Sequence, residues 1–256
     1  MVFTANSLKR AYCFTLSSID RYNININNFK ITCKTKEMKF KGIIFDLDGT
    51  LVNTLEDISD SMNRILLKNG FPTHDYESYK YFIGKGTKNL VIESLPLHNR
   101  EDKVVNRCIN HMMGDYRNQC LEKSHLYKGI SELLNELSMH NMKLNILSNK
   151  ADELTQKIVK TLLYNWSFEI ILGARSDFPR KPDPRGALFI SKTLGIDPQN
   201  LLYLGDTGID MNTATAAGMF AVGVLWGFRT KEELIANGAK RLIKHPLDLM
   251  EMLSKN

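Results

Sequence analysis

Five short apolar runs, spaced by segments of helical periodicity, leave few folds open to this chain. The runs lie at 41–46, 143–148 ("KLNILS"), 169–172 ("EIIL"), 200–205 ("NLLYLG") and 220–225 ("FAVGVL"). They are apolar throughout rather than alternating, as buried strands covered on both faces are. Between them the period changes. Leu55, Ile58, Met62, Ile65 and Leu66 share one helical face, with Gly70 as a stop. Leu133, Leu134 and Leu137 mark another helix, and Leu154, Ile158 and Leu162 a third, with Asp152 as its expected cap. Pro184 starts a further helix and Gly195 ends it. Strands alternating with helices predict right-handed βαβ units, hence an α/β protein with a Rossmann-like, three-layer core around a parallel sheet. One interval breaks the rhythm: residues 53–127 contain helical segments near 55–69, 87–95 and 101–120 and no convincing strand. The expected organisation is a core of 38–52 plus 128–256, with 53–127 inserted as a helical cap.

Residues 1–37 differ from the rest. They are rich in Asn, Ser and Thr, and they hold six basic side chains (Lys9, Arg10, Arg21, Lys30, Lys34, Lys36) against two acids, Asp20 and Glu37. Most of the formal charge of +6 therefore sits there, and the remaining basic residues are scattered. That distribution predicts solvated faces rather than a nucleic-acid footprint. Met38, just before the first strand, is the expected working start, with 1–37 an appended extension. No apolar run approaches the ~18–20 residues of a membrane helix. Cys13, Cys33, Cys108 and Cys120 form no C-x-x-C pair, which fits packing residues in a reducing cytoplasm. The expected assembly is a monomer or homodimer.

In open parallel sheets, ligands bind beyond the carboxyl ends of the strands. After the first strand come Asp46, Asp48, Gly49 and Thr50; after the second, Ser148 and Asn149; after the fourth, Asp206 and Asp210. "RKPDP", with Lys181, lies between the third and fourth. Carboxylates from two strands suit Mg²⁺, which takes oxygen ligands and is often completed by substrate phosphate. Ser148, Asn149 and Lys181 suit the peripheral phosphoryl oxygens, and Thr50 is a further candidate phosphate ligand. Each element alone has a plainer reading. Asp48 and Thr50 read as helix caps, Ser148-Asn149 as a turn, Lys181 as a solvated loop residue, and Asp206 and Asp210 as turn or capping residues. Their joint placement, each near a strand end, makes coincidence the poorer account.

The segments "DLDGTLVNT", "LSNK", "RKPDP" and "GDTGIDMNTATAAGM" resemble the four signature segments of the haloacid dehalogenase superfamily, in that family's order. The resemblance implies that Asp46 is a nucleophile forming an aspartyl-phosphate. It implies Asp48 as general acid and then general base. Mg²⁺ would be held by Asp46, the Asp48 carbonyl and Asp206, with Asp210 in or near the shell, while Ser148 and Lys181 bind the phosphoryl group. The "KPDP" segment and the C-terminal stretch are most similar to phosphoglycolate phosphatases, as is "IGKGTKNL", where Gly84, Lys85 and Gly86 would face the substrate and Lys85 would meet a carboxylate. A plainer reading makes that segment a loop opening a helix capped by Thr87. The implied substrate is a small phosphate ester, 2-phosphoglycolate foremost. A sugar-phosphate or pyrophosphate phosphatase and a phosphomutase like β-phosphoglucomutase share the pattern. The presence of Asp48 disfavours dehalogenation.

Overall fold

The structure, a computed structural model, describes residues 39–255. The expectations for residues 1–37 and for Cys13 and Cys33 lie outside the described residues. The first strand, β1 (Gly42–Phe45), is wholly buried. It pairs in parallel with β4 (Lys143–Ala151) on one side and β6 (Leu201–Gly205) on the other, so that Phe45 faces both Ile146 and Leu204. With β5 (Ile170–Ala174), β7 (Phe220–Val224) and β8 (Arg241–Ile243), the six strands run β5-β4-β1-β6-β7-β8, every pairing parallel. The chain winds outward from β1 through β4 to β5, then crosses to β6 and winds the other way. That reversal puts β1 at the switch point, where a crevice opens above the strand ends.

The inserted segment builds α1 (Leu55–Lys68), α2 (Tyr76–Phe82), α3 (Thr87–Ser94) and α4 (Asp102–Gln119). In α1 the apolar stripe is buried, with Glu56 and Asp57 in the first turn and Lys68 in the last, each complementing the helix dipole. In α2, Asp75 caps by accepting from the Ser78 amide. The helices share a core of Met62, Ile65, Tyr79, Val91, Cys108 and Met112, which also takes in Leu154 and Phe228 from the sheet-bearing part. The other helices are α5 (Ile130–Met139), α6 (Asp152–Leu162), α7 (Arg185–Leu194), α8 (Gly208–Ala216), α9 (Lys231–Ala236) and α10 (Asp248–Lys255). Residues of α7, α8 and α9 pack on Ile44, Leu147, Leu172 and Tyr203 of the sheet. Among the described residues no helix is long and apolar enough to cross a membrane.

The structure corrects four local expectations. The interval 53–127 does contain strand: β2 (Val52–Asn53) pairs antiparallel with β3 (His125–Leu126), closing the two ends of the insertion on each other. Two residues each were too short to show a period. Asp152 does not cap α6. It lies inside the first turn, and its carboxylate accepts from the Gly173 amide at 2.8 Å, tying the helix to β5. Thr87 does not cap α3; Gly86 occupies the cap position. Strand β4 runs three residues further than expected and so carries Asn149, Lys150 and Ala151 within it.

Ile43 has no exposed surface and sits in the strand flanked on both sides. Ile43→Ala is expected to cost about 2–5 kcal/mol, read as a lower urea midpoint at unchanged slope.

Candidate active site

The chain leaves β1 at Asp46, whose amide donates to the Leu204 carbonyl at 2.9 Å and so stays in register with β6. It then folds back on itself: the Leu51 and Val52 amides both return to the Leu47 carbonyl. Gly49 takes φ +84°, and a Cβ there would collide with the Asp206 carboxylate. The tight return thus brings the end of β1 against the end of β6. Thr50, fully buried, donates to Asp206 Oδ1 at 3.1 Å, so its hydroxyl orients that carboxylate. The Phe228 amide donates to Asp206 Oδ2 at 2.8 Å. Gly227 allows this approach, since a Cβ there would strike both Asp206 and the Gly49 carbonyl.

Asp210 caps α8 reciprocally with Thr207: its Oδ2 accepts from the Thr207 amide and hydroxyl, at 3.1 and 2.6 Å. Its Oδ1 accepts from Lys181 Nζ at 2.7 Å. The same ammonium lies 2.9 Å from Asp46 Oδ1, which also accepts from the Leu47 amide. Asp46 Oδ2 has no hydrogen-bond partner among the described residues, and the residue lines a cavity. Asn149 holds the lysine in place: its amide oxygen accepts from the Lys181 N–H at 2.8 Å, and its amide nitrogen donates to the carbonyls of Lys181 and Gly84. The side chain of Asn149 is therefore engaged with backbone rather than open to a phosphate.

Oxygens of Asp46, Asp206 and Asp210 lie within 4.8 Å of one another, all buried. Burial raises the Asp46 pKa well above its ordinary value, Lys181 opposes that, and Asp210 and Asp206 add to it. Asp206 is pushed up to about 7 by burial and by Asp210, against the Phe228 and Thr50 hydrogen bonds that favour its charge. Burial works against the Lys181 ammonium, but Asp210 and Asp46 outweigh it and its pKa rises. One buried cation thus faces three crowded carboxylates. The excess negative charge and the all-oxygen donors fit a hard dication such as Mg²⁺.

Asp48 stands apart from this cluster. Its Oδ1 accepts from the Thr54 hydroxyl at 2.7 Å, and Lys150 Nζ contacts Oδ1 and Oδ2 at 2.9 and 3.1 Å. Its carboxylate is thus paired with Lys150 and Thr54 rather than grouped with the three acids. Sequence reasoning passed over Lys150, although Ser148 and Lys150, two apart on one strand, point to the same face. Ser148, Asn149 and Lys150 all line the cavity. The cap side of the cavity is formed by Ile83, Gly84, Gly86, Thr87, Leu90 and Met112, with Met113 and Tyr116 beyond. Gly84 and Gly86 take positive φ, as a close-approaching loop does. Lys85 is exposed and is not among the lining residues.

The cap is clasped from below. Arg229, next to Phe228, donates to the carbonyls of Lys80, Tyr81 and Ile83, and its guanidinium stacks 5.3 Å from the Tyr81 ring centre. This contact had no sequence signal, because Arg229 lies some 150 positions from the carbonyls it binds.

Residues 43–224 match the model of the haloacid dehalogenase-like hydrolases. A phosphoglycolate phosphatase of Chromobacterium violaceum is 29% identical over 214 residues, 82% of this chain and 96% of its own. An N-acetylmuramic acid 6-phosphate phosphatase of Pseudomonas aeruginosa is 26% identical over 221 residues, 86% of this chain and 97% of its own. The solved structure of a candidate phosphoglycolate phosphatase from Lactobacillus delbrueckii subsp. bulgaricus superposes with a TM-score of 0.79 at 29% identity, covering 84% of this chain and 99% of that one.

The raised carboxyl of Asp206 has a measurable sign. Between its ordinary 3.8 and about 7 the folded chain holds a proton that the unfolded chain releases, so this group's contribution to stability is lost as pH rises through that window. A dication must displace the same proton. Its apparent affinity, read by calorimetry, is therefore expected to rise up to about tenfold per pH unit from about pH 5 to 7. Affinity that does not change with pH would remove Asp206 from the ligand set.

Proposed function

The chain belongs to the haloacid dehalogenase-like hydrolase family, and from that premise we propose that it is a Mg²⁺-dependent phosphatase acting on a small phosphomonoester, 2-phosphoglycolate foremost, through an aspartyl-phosphate. The observation that carries this reading is the separation of two acids only two residues apart. Asp46 lies in the carboxylate cluster beside Lys181, and Asp48 is held by Lys150 and Thr54. Two acids in such unlike surroundings suit two roles.

Asp46 and Asp206 would hold the cation, together with the Asp48 carbonyl, and Asp210 steadies the Lys181 ammonium that pairs with Asp46. When bound, the Mg²⁺ supplies positive charge for the transferring phosphoryl oxygens. The unpartnered Oδ2 of Asp46 attacks phosphorus and the ester P–O bond breaks. Asp48 delivers a proton to the departing oxygen. In the second half Asp48 takes a proton from water, the water oxygen attacks phosphorus, and the bond to Asp46 breaks to release phosphate and restore the carboxylate. Ser148 and Lys181 hold the peripheral oxygens, and Asn149 fixes the Lys181 backbone. The cap carbonyl of Gly84 accepts from the same Asn149, so the lid and the phosphate-binding lysine share one anchor. A lid in this position excludes water and selects the leaving group.

The cavity supports a small leaving group over a sugar. Ile58, Ile83, Leu90, Met112, Met113 and Leu154 line it, and a hexose would press hydroxyls against apolar walls without partners. The curated relative from Chromobacterium violaceum is named for the two-carbon ester.

Asp46→Asn is expected to lower turnover by about 10³-fold or more while the far-UV circular dichroism and Tm stay near wild type. Substantial remaining activity would sink the mechanism. A panel of 2-phosphoglycolate, sugar phosphates, nucleotides and pyrophosphate in Mg²⁺, ranked by kcat/KM, tests the substrate; a sugar phosphate ranked first would overturn that part.

A further inference from the structure

The site contains a cation whose part in the phosphoryl chemistry is only to hold Asp48, and a hydroxyl with no part in it. Lys150, on core strand β4, is buried, and its Nζ makes two contacts to the single carboxylate of Asp48. An ammonium has three donors. Its remaining side is toward Tyr116 of cap helix α4, whose ring centre lies 4.7 Å from Nζ. The Tyr116 hydroxyl is buried in a residue only 2% exposed and has no hydrogen-bond partner among the described residues; it approaches the ammonium outside hydrogen-bond geometry. A buried hydroxyl left unpaired is costly, and Tyr116 is also one of the residues that line the cavity.

We propose that Lys150 and Tyr116 together bind a carboxylate carried by the leaving group, one carbon from the ester oxygen, so that the site selects phosphate esters of 2-hydroxy acids. The assignment rests on the phosphatase reading of the same site. Position supplies the distance rule. Asp48 serves the ester oxygen, and Lys150 touches Asp48, so a group one carbon from that oxygen falls beside the ammonium. Chemistry supplies the charge. Lys150 is the one cationic side chain among the lining residues, and a phenol and an ammonium both donate, as a carboxylate requires. The remaining wall offers little competition. Thr87, its hydroxyl 3.8 Å from Met113 Sδ, sits among Leu90, Met112 and Leu154. Lys85, exposed and away from the lining, is not needed for this recognition. Because Tyr116 belongs to the cap and Lys150 to the core, the carboxylate would also bridge the two.

The test is binding of two inert phosphonates to the full chain in Mg²⁺ by calorimetry. In 3-phosphonopropionate a methylene replaces the ester oxygen of 2-phosphoglycolate, and propylphosphonate has the same length with a methyl in place of the carboxylate. Wild type is expected to prefer the carboxylate compound by about tenfold or more, and Tyr116→Phe and Lys150→Met each to reduce that ratio by about tenfold. Tyr116→Phe removes only an unpartnered oxygen, so it keeps the test valid if the lysine variant fails to fold. Equal binding of the two compounds by wild type, or an unchanged ratio in Tyr116→Phe, overturns the assignment. Hydrolysis of ethyl phosphate is read separately. Turnover of it with no carboxylate preference overturns the pair and leaves the phosphatase standing, whereas preference in binding with no ester hydrolysed upholds the pair and removes the phosphatase.

Discussion

The Lys181 ammonium, buried between Asp46 and Asp210, is the contact on which the rest of the site depends. An ammonium out of water is tolerable only with close opposite charge, and the two carboxylates would repel each other without it. Everything nearby serves that arrangement. Asn149 fixes the lysine backbone, Thr207 fixes Asp210, and the Leu47 amide fixes Asp46. The arrangement still leaves the cluster short of positive charge, since Asp206 adds a third carboxylate. The fold therefore builds an anionic pit at the switch point of its sheet, with a donor set suited to a cation.

A second layer of design holds the acids apart. Asp46 and Asp48 are separated by a single residue, yet the tight return after β1 sends them to different partners. The return depends on Gly49 at φ +84°, and the glycine is required twice, for the turn and for the closeness of Asp206. Charge pairs then finish the separation. Lys181 stands with Asp46 and Lys150 with Asp48, so each acid has its own ammonium.

Much of this was legible in the residues. The buried strands had continuous apolar runs, and the acids at their ends could be placed because parallel strands present their carboxyl ends together. Asp46, Asp206, Asp210 and Lys181 do meet. What the residues did not reveal was which neighbour each polar side chain would choose. Thr50 and Asn149 had been read as phosphate ligands, but the close packing of two strand ends gives Thr50 to Asp206 and Asn149 to backbone. Lys150 was hidden because a strand ending at 148 leaves it in a loop, whereas the strand continues through it. Tyr116 looked like any aromatic on an amphipathic helix; its hydroxyl's lack of a hydrogen-bond partner among the described residues sets it apart.

The strap from Trp226 to Arg229 joins the strand ends to the cap through neighbouring positions. Trp226 donates to the Thr50 carbonyl, the Phe228 amide orients Asp206, and the next residue grips three carbonyls of the cap. Adjacent positions on one short segment cannot be displaced separately. Seating of the cap and aim of the Asp206 carboxylate are therefore thermodynamically linked, and by reciprocity whatever steadies one steadies the other by the same factor. A ligand bound at the acids would be registered at the far end of helix α2, and a contact made there would be registered at the acids.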